Sequence, residues 1–453
     1  MNLPNYFLAD LSPEATLSAA MVREACQTLK RNREQYLAGR STQSLVGILS
    51  DLARKWREPE YRFRKLALEQ GPEATGFSKP TLARGLTQFF QELSPESFEK
   101  LLEQELGHHE RLDRLVSTEQ EKSSGRAALA VAPDLLVHIT AGNLPIPALM
   151  SMVLGVLLRS AQFLKCARGA AFLPRLFAHS LYDAEPKLGA CLEVAEWRGG
   201  TLELEEVLYS EAGCVTATGS DPALAEIQKR LPAGARFVGY GQRVSFGYIA
   251  SEMLSGLSAG RVVTRAASDV AAWNQLGCLS PHVFYVQEGG SISPERFAEM
   301  LAEELEKWER TEPRGPLKVE DAAAVSSRRS LYEVRAAHVP DTRHWCSEGS
   351  TAWTVVYEAD ARFQFSCLNR FIYVKSVPDL TAVLHEADAV RGKVSTVGLA
   401  APENKIEDLA LELARWGATR ICPLGKMQAP PLTWRHDGRP VLADLVTWVD
   451  LES

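Results

Sequence analysis

Several features are missing from this chain of 453 residues, and each absence closes off a class of function. The eight cysteines stand at 26, 166, 191, 214, 278, 346, 367 and 422, and no two form a Cys-x-x-Cys pair. Structural zinc sites draw their ligands from such pairs, so no metal site is expected. No Gly-x-Gly-x-x-Gly follows an apolar strand. Gly239-Tyr240-Gly241-Gln242-Arg243 falls short of that pattern, so the standard dinucleotide fingerprint is missing. There is no long basic run, and 50 Lys and Arg against 57 Asp and Glu leave a net charge of −7, which argues against nucleic acid. The longest apolar stretch, around Ile146 to Leu158, is too short and too broken to span a bilayer. The first residues, Met1-Asn2-Leu3-Pro4-Asn5, lack the basic and apolar parts of an export signal. The cysteines are therefore expected as reduced thiols in a cytoplasm. No internal repeat and no low-complexity segment occurs.

What remains is an ordinary globular composition, 45% hydrophobic and 24% charged, with length enough for two or three domains. Residues 14–106 read as helical. Leu45, Val46, Ile48, Leu49 and Leu52 recur at helical spacing, as do Phe89, Phe90 and Leu93. Pro59 and the Gly71-Pro72 pair are expected to break this region, and Ser94-Pro95-Glu96 to restart it. Its apolar faces read as core, with a substrate entrance or subunit contact as the minor alternative.

From 127 onward strand and helix alternate. Ala130–Ile139 reads as a strand, then a helix over 146–159, then a strand at Gln162–Cys166. Gly213–Thr218 and Arg236–Tyr240 are further strands. Such repetition predicts a mostly parallel sheet with helices on both faces. Ligands of these sheets bind beyond the carboxyl ends of the strands, and the loops at 140–145, 165–169 and 218–222 sit at such ends. A second α/β unit follows, its boundary expected near Gly256–Gly260. The division predicted is 1–126 helical, 127–257 with part of the C-terminus as a cofactor domain, 258–425 as a catalytic domain, and 426–453 as a C-terminal segment. The last stretch reads as a turn and a short amphipathic helix.

Three loops carry residues suited to chemistry. Cys278 lies between a short helix read over Ala266–Asn274 and a strand at His282–Gln287, beside the small Gly277. A loop cysteine on a rigid scaffold is well placed for a nucleophile, although a lone cysteine is as often a small buried hydrophobe. Thr218-Gly219-Ser220 before a helix suits an anion, since Gly219 allows close approach and the first amides face outward; an ordinary N-cap is the plainer reading. Asn143 can donate to a developing oxyanion, or can simply stabilise its own turn. His138 and His282 flank these loops and read as structural rather than as proton relays.

The order and spacing of these segments resemble the aldehyde dehydrogenase superfamily: Asn143-Leu144-Pro145 after a strand, Lys165 ending the next, Gly219-Ser220 opening a helix, and Cys278 58 residues beyond Ser220. HITAGNLP (138–145), Cys278-Leu279-Ser280-Pro281, CLNRFIYV (367–374) and STVGLA (395–400) look like its LuxC-type acyl-CoA reductase branch, the fatty acyl-CoA reductases of bacterial luminescence. The resemblance covers about 130–450. It implies an α/β fold of two Rossmann-like parallel-sheet domains with a helical N-terminal region. It also implies Cys278 as acylated nucleophile, Asn143 with the Cys278 amide as oxyanion hole, Lys165 on the adenosine ribose and Gly219-Ser220 at the pyrophosphate. The expected reaction reduces an acyl thioester, from CoA or an acyl-transferring protein partner, to the aldehyde. The family also implies a homo-oligomer.

Two departures refine this. Hydrolytic members carry a Glu roughly where Val238–Arg243 stands here, and this chain has no carboxylate there, which fits reduction rather than hydrolysis of the thioester. Three residues past Lys165, where NAD-preferring relatives often place a Glu, stands Arg168, which would pair with a 2′-phosphate and favours NADPH. An acyl-phosphate or semialdehyde reductase on the same scaffold ranks second, with only Arg261 and Arg265 nearby as phosphate ligands. A non-catalytic acyl-binding subunit ranks third.

Overall fold

The computed structural model describes residues 3–12 and 14–452; Met1 and Asn2 of the N-terminal pentapeptide lie outside them. The chain divides into two compact units, one formed by residues 1–75, 86–241 and 431–453 and the other by 76–85 and 242–430.

The first unit holds strands β1 (Arg126–Val131), β2 (Leu135–Ile139), β3 (Ala161–Cys166), β4 (Leu192–Glu196), β5 (Cys214–Thr218) and β6 (Arg236–Tyr240). β2 to β6 form a five-stranded, wholly parallel sheet in the order β4-β3-β2-β5-β6. β2 and β3 are buried along their whole length, which is why they read as unbroken apolar runs rather than alternations. Leu135, Val137, Phe163 and Val215 pack against Val22, Cys26 and Leu29 of the helix Ala19–Asn32, and against Leu204 and Leu208 of the helix Leu202–Glu211. The N-terminal helical region is thus built into this unit, not set apart from it.

The second unit carries β7 (Val244–Ile249), β8 (Pro281–Gln287), β9 (Thr342–Cys346), β10 (Thr354–Glu358), β11 (Phe371–Val377), β12 (Val394–Ala400) and β13 (Ile421–Pro423). Their order is β13-β12-β7-β8-β11-β10-β9, parallel except for the edge strand β9. Alternation splits the core in two. Phe284, Val286, Val355, Ile372 and Val374 pack on one face, with Val263, Ala267 and Leu301 of the helices Gly256–Ala271 and Pro294–Thr311. Val283, Tyr285, Val356, Phe371 and Tyr373 pack on the other, with Tyr332, Leu413 and Trp416. Each fully buried aliphatic or aromatic side chain here contributes about 1.5–3 kcal/mol.

Four expectations need correction. The main stretch of the second unit starts at Gln242, ahead of Gly256–Gly260, because β7 pairs with β8 and β12. Ala130–Ile139 is two strands, separated around Pro133, which cannot donate to a ladder. Gly71-Pro72 does not break a helix; it lies inside Arg62–Thr75, close enough to the end that little is lost. The C-terminal segment holds two short 3₁₀ turns, His436–Gly438 and Ala443–Leu445, and ends in a strand rather than an amphipathic helix. Thr447–Glu452 forms β14, antiparallel to β1, so that the segment belongs to the first unit. Among the described residues no helix is long and apolar enough to cross a membrane.

Candidate active site

In the first unit, β3, β2 and β5 are consecutive parallel neighbours, so the loops that follow them share one edge of the sheet. That edge carries Asn143, Lys165, Arg168, Gly219 and Ser220. The first two loops are in contact: the Thr140 amide donates to the Lys165 carbonyl at 3.1 Å. A Cβ on Gly142 would stand 3.3 Å from that of Ala167, so glycine lets the loops approach. Asn143 is exposed and lines a small cavity with His138, Thr216, Thr218 and Tyr240.

Lys165 is buried, its ammonium 5.8 Å from the centre of the Trp197 ring. Burial pulls its pKa below the usual lysine range, opposed by Glu205, Cys166 and Glu196. Arg168 is exposed on the following turn. Glu196, at the end of β4, fixes that turn by accepting from the amides of Gly169 at 2.7 Å and Ala171 at 3.1 Å. Sequence reading missed Glu196; nothing in its surroundings there marked it.

Ser220 occupies the N-cap position of the helix Asp221–Arg230, but its side chain makes no capping hydrogen bond. The Ser220 carbonyl accepts from the Leu224 amide at 3.0 Å. A Cβ on Gly219 would meet only Ala223, at 3.8 Å, so packing within the protein does not demand a glycine there. Gly219 thus leaves room at the carboxyl end of β5.

His138 resolves as structural. Gln162 gives its amide N–H to the Met152 carbonyl and faces His138 Nε2 with its oxygen at 3.1 Å, so Nε2 carries the proton. Nδ1 then accepts from the Thr216 hydroxyl at 2.7 Å. Burial lowers the His138 pKa to about 4, against the Gln162 bond. His282 in the second unit is likewise buried, with its pKa lowered by burial to about 4, and its Nδ1 accepts from the Ser366 amide at 3.0 Å.

Cys278 sits in the second unit, ahead of the central strand β8. The expected helix before it runs over Gly256–Ala271 and gives way to a tight turn over Ala272–Gln275. Cys278 follows Gly277 in a β-turn closed by Ser280 N–H donating to the Gly277 carbonyl at 3.0 Å, and by Gly277 N–H donating to Ser280 Oγ at 3.2 Å. Gln428 also bonds Ser280 Oγ. Ser245, fully buried on β7, donates to the Cys278 carbonyl at 2.7 Å. The thiol is half-buried. Cys26, Cys166, Cys191 and Cys214 are buried instead, and burial raises each thiol to about 12.

Arg420 is a buried cation of the second unit that the sequence did not mark out. It donates to the carbonyls of Met427 at 2.7 Å and Lys426 at 2.8 Å. Burial lowers its pKa, while the charges of Cys422, Asp269 and Cys278 favour its cation.

The chain is similar to known proteins over most of its length. A long-chain acyl-protein thioester reductase of Photorhabdus laumondii is 23% identical over 419 residues, 90% of this chain and 82% of that protein. One from Photobacterium leiognathi is 24% identical over 421 residues, with the same coverages of 90% and 82%. Among solved structures, the delta-pyrroline-5-carboxylate dehydrogenase of Mycobacterium tuberculosis superposes with a TM-score of 0.68 at 14% identity, over 96% of this chain and 83% of that one. A benzaldehyde dehydrogenase of Corynebacterium glutamicum, described as NAD-dependent, gives 0.68 at 12%, over 99% and 94%. A bifunctional proline utilization A protein gives 0.71 at 15%; it matches 96% of this chain, which spans 45% of that longer one. These superpositions establish an aldehyde-dehydrogenase-like fold. Residues 37–448 match the model of the acyl-CoA reductase (LuxC) family, and the chain belongs to that family of enzymes, which reduce acyl thioesters to aldehydes.

Proposed function

We propose that this enzyme reduces a long-chain acyl group, presented on CoA or on a carrier protein, with NADPH and through an acyl intermediate on Cys278. The observation that carries the reading is the setting of Cys278: a half-buried thiol on a tight turn fixed by Ser245 and Ser280.

The Cys278 thiolate adds to the acyl carbonyl carbon. Asn143 and the Cys278 amide donate to the resulting oxyanion. The oxyanion collapses, the bond to the donor sulfur breaks, and the donor thiolate leaves with its electron pair. The acyl group is now a thioester on Cys278. NADPH, when bound, supplies the hydride that reduces this thioester. Collapse of the second tetrahedral adduct returns the electron pair to Cys278 and releases the aldehyde. A thiolate serves as nucleophile in the first half and leaving group in the second. Lys165, Arg168, Gly219 and Ser220 would hold the dinucleotide. Eight free cysteines support work in a reducing cytoplasm. The exposed Val131, Trp448, Val449 and Leu451 on the β1–β14 ribbon support a homo-oligomer.

The test mixes the enzyme with acyl-CoAs from acetyl to stearoyl, without NADPH, and maps the adduct by mass spectrometry. One acyl group on Cys278, lost on adding NADPH and absent from Cys278→Ala, is expected. An adduct on another cysteine, such as Cys367, would overturn the assignment.

A further inference from the structure

Two runs of non-glycine residues in the second unit adopt left-handed backbone. Trp273 (φ 50°), Asn274 (53°) and Gln275 (64°) form the first, just before the cysteine turn. Leu368 (61°), Asn369 (57°) and Arg370 (63°) form the second, just before β11. L-residues visit this region singly and rarely, because Cβ crowds the following carbonyl. Three in succession, twice, persist only where the surroundings over-determine them.

The two runs hold each other. Arg370 belongs to the second run and grips the first: its fully buried guanidinium donates from Nη2 to Asn274 Oδ1 at 3.3 Å and to the Ala271 carbonyl at 3.5 Å. Gln275 belongs to the first run and grips the strand that follows the second. Its buried amide donates to the Phe371 carbonyl at 2.9 Å and to the Pro281 carbonyl at 2.7 Å, on the far side of the cysteine turn. Arg370 is anchored in turn by Glu309, 2.9 Å from Nη1.

A buried cation is a poor device for stability alone, since an apolar side chain of like volume packs as well without the cost of desolvation. What the fork supplies is direction: one planar group fixes a helix end, the Asn274 side chain and an acidic anchor together. We propose that Arg370 is a positioning residue for acyl transfer, holding the left-handed run that sets the Cys278 turn. This rests on Cys278 being the nucleophile.

Arg370→Lys keeps a cation for Glu309 but loses the fork. Single-turnover acylation of Cys278 by palmitoyl-CoA is expected to slow about 10- to 100-fold, the usual effect of a small misplacement of a reacting group. KM for palmitoyl-CoA and NADPH affinity should stay near wild type. Asn274→Ala, which leaves the Arg370–Glu309 pair intact, should show the same loss and carries the test if Arg370→Lys does not fold. The double variant should be no slower than either single, because both cut one link. A folded variant that acylates at the wild-type rate, or losses that multiply, would overturn the proposal. Failure of the underlying reading is separately visible, as an adduct that survives Cys278→Ala.

Discussion

The indole of Trp273 occupies the space where a side chain at Gly85 would begin: a Cβ built on Gly85 would lie 2.0 Å from Cζ2 of Trp273. Phe77 meets the same indole edge-on at 5.2 Å. Helix interiors disfavour glycine by about 1 kcal/mol relative to alanine, so its place within Lys79–Gln91 needs a reason, and the indole is that reason. Gly85→Ala should therefore destabilise the enzyme despite the helix gain, by about 1–3 kcal/mol of overpacking. Since Trp273 opens the run before Cys278, alkylation of Cys278 by iodoacetamide should change as well. Urea unfolding and peptide mapping measure the two effects. A variant at least as stable as wild type would show that the indole moves freely.

Asn143 stands exposed at the sheet edge, so its removal leaves little packing to lose. Asn143→Ala should lower turnover by about 10²–10³, the usual loss of one oxyanion donor, with the unfolding midpoint unchanged. Unchanged turnover, with chemistry shown to limit the rate, would assign Asn143 to the turn alone.

Glu196, at the end of β4, bonds the amides of the turn that carries Arg168 and would meet the adenosine ribose. A guanidinium pairs with a 2′-phosphate, whereas a nearby carboxylate repels it. Glu196 spends both oxygens on backbone amides, which reduces that repulsion without abolishing it. A preference for NADPH over NADH of about tenfold, or about 1.4 kcal/mol, is expected. Arg168→Glu should remove it. Comparing kcat/KM for the two cofactors decides the point, and equal use by the wild type would show that Arg168 does not read the phosphate.

His138 gives the fold a pH dependence with a definite sign. Its folded pKa is about 4, against about 6.5 in an unfolded chain. The unfolded state then binds the extra proton first as pH falls. The neutral ring's stability is fully present above about pH 6.5 and is lost progressively down to about pH 4, by roughly 3 kcal/mol. His138→Gln removes this group and leaves the others in place. Unfolding free energies at pH 7 and pH 4 should fall less in the variant by about that amount. Equal falls would mean that His138 is not held neutral.

Much of this enzyme was written locally. The alternation of buried strands and helices, the loop after each strand and the tight Gly277–Ser280 turn depend on short-range patterning and on residue types with narrow conformational preferences. Other features were settled by partners far away in the chain. Thr447–Glu452 is a strand because Arg126–Val131 offers its backbone a ladder, and six residues alone do not choose between strand and helix. Val244–Ile249 joins the second sheet because β8 and β12 pair with it, which moved the unit boundary away from the glycine-rich stretch. Gly85 meets Trp273, Arg370 meets Asn274, and the Arg420 charge reaches Cys278 only after the sheet has brought distant segments together. The sequence by itself determined the order of strands and helices and which loops follow the strands. Tertiary structure alone decided what holds them in place, because the contacts that fix a strained turn are made between side chains whose separation along the chain leaves no periodic trace.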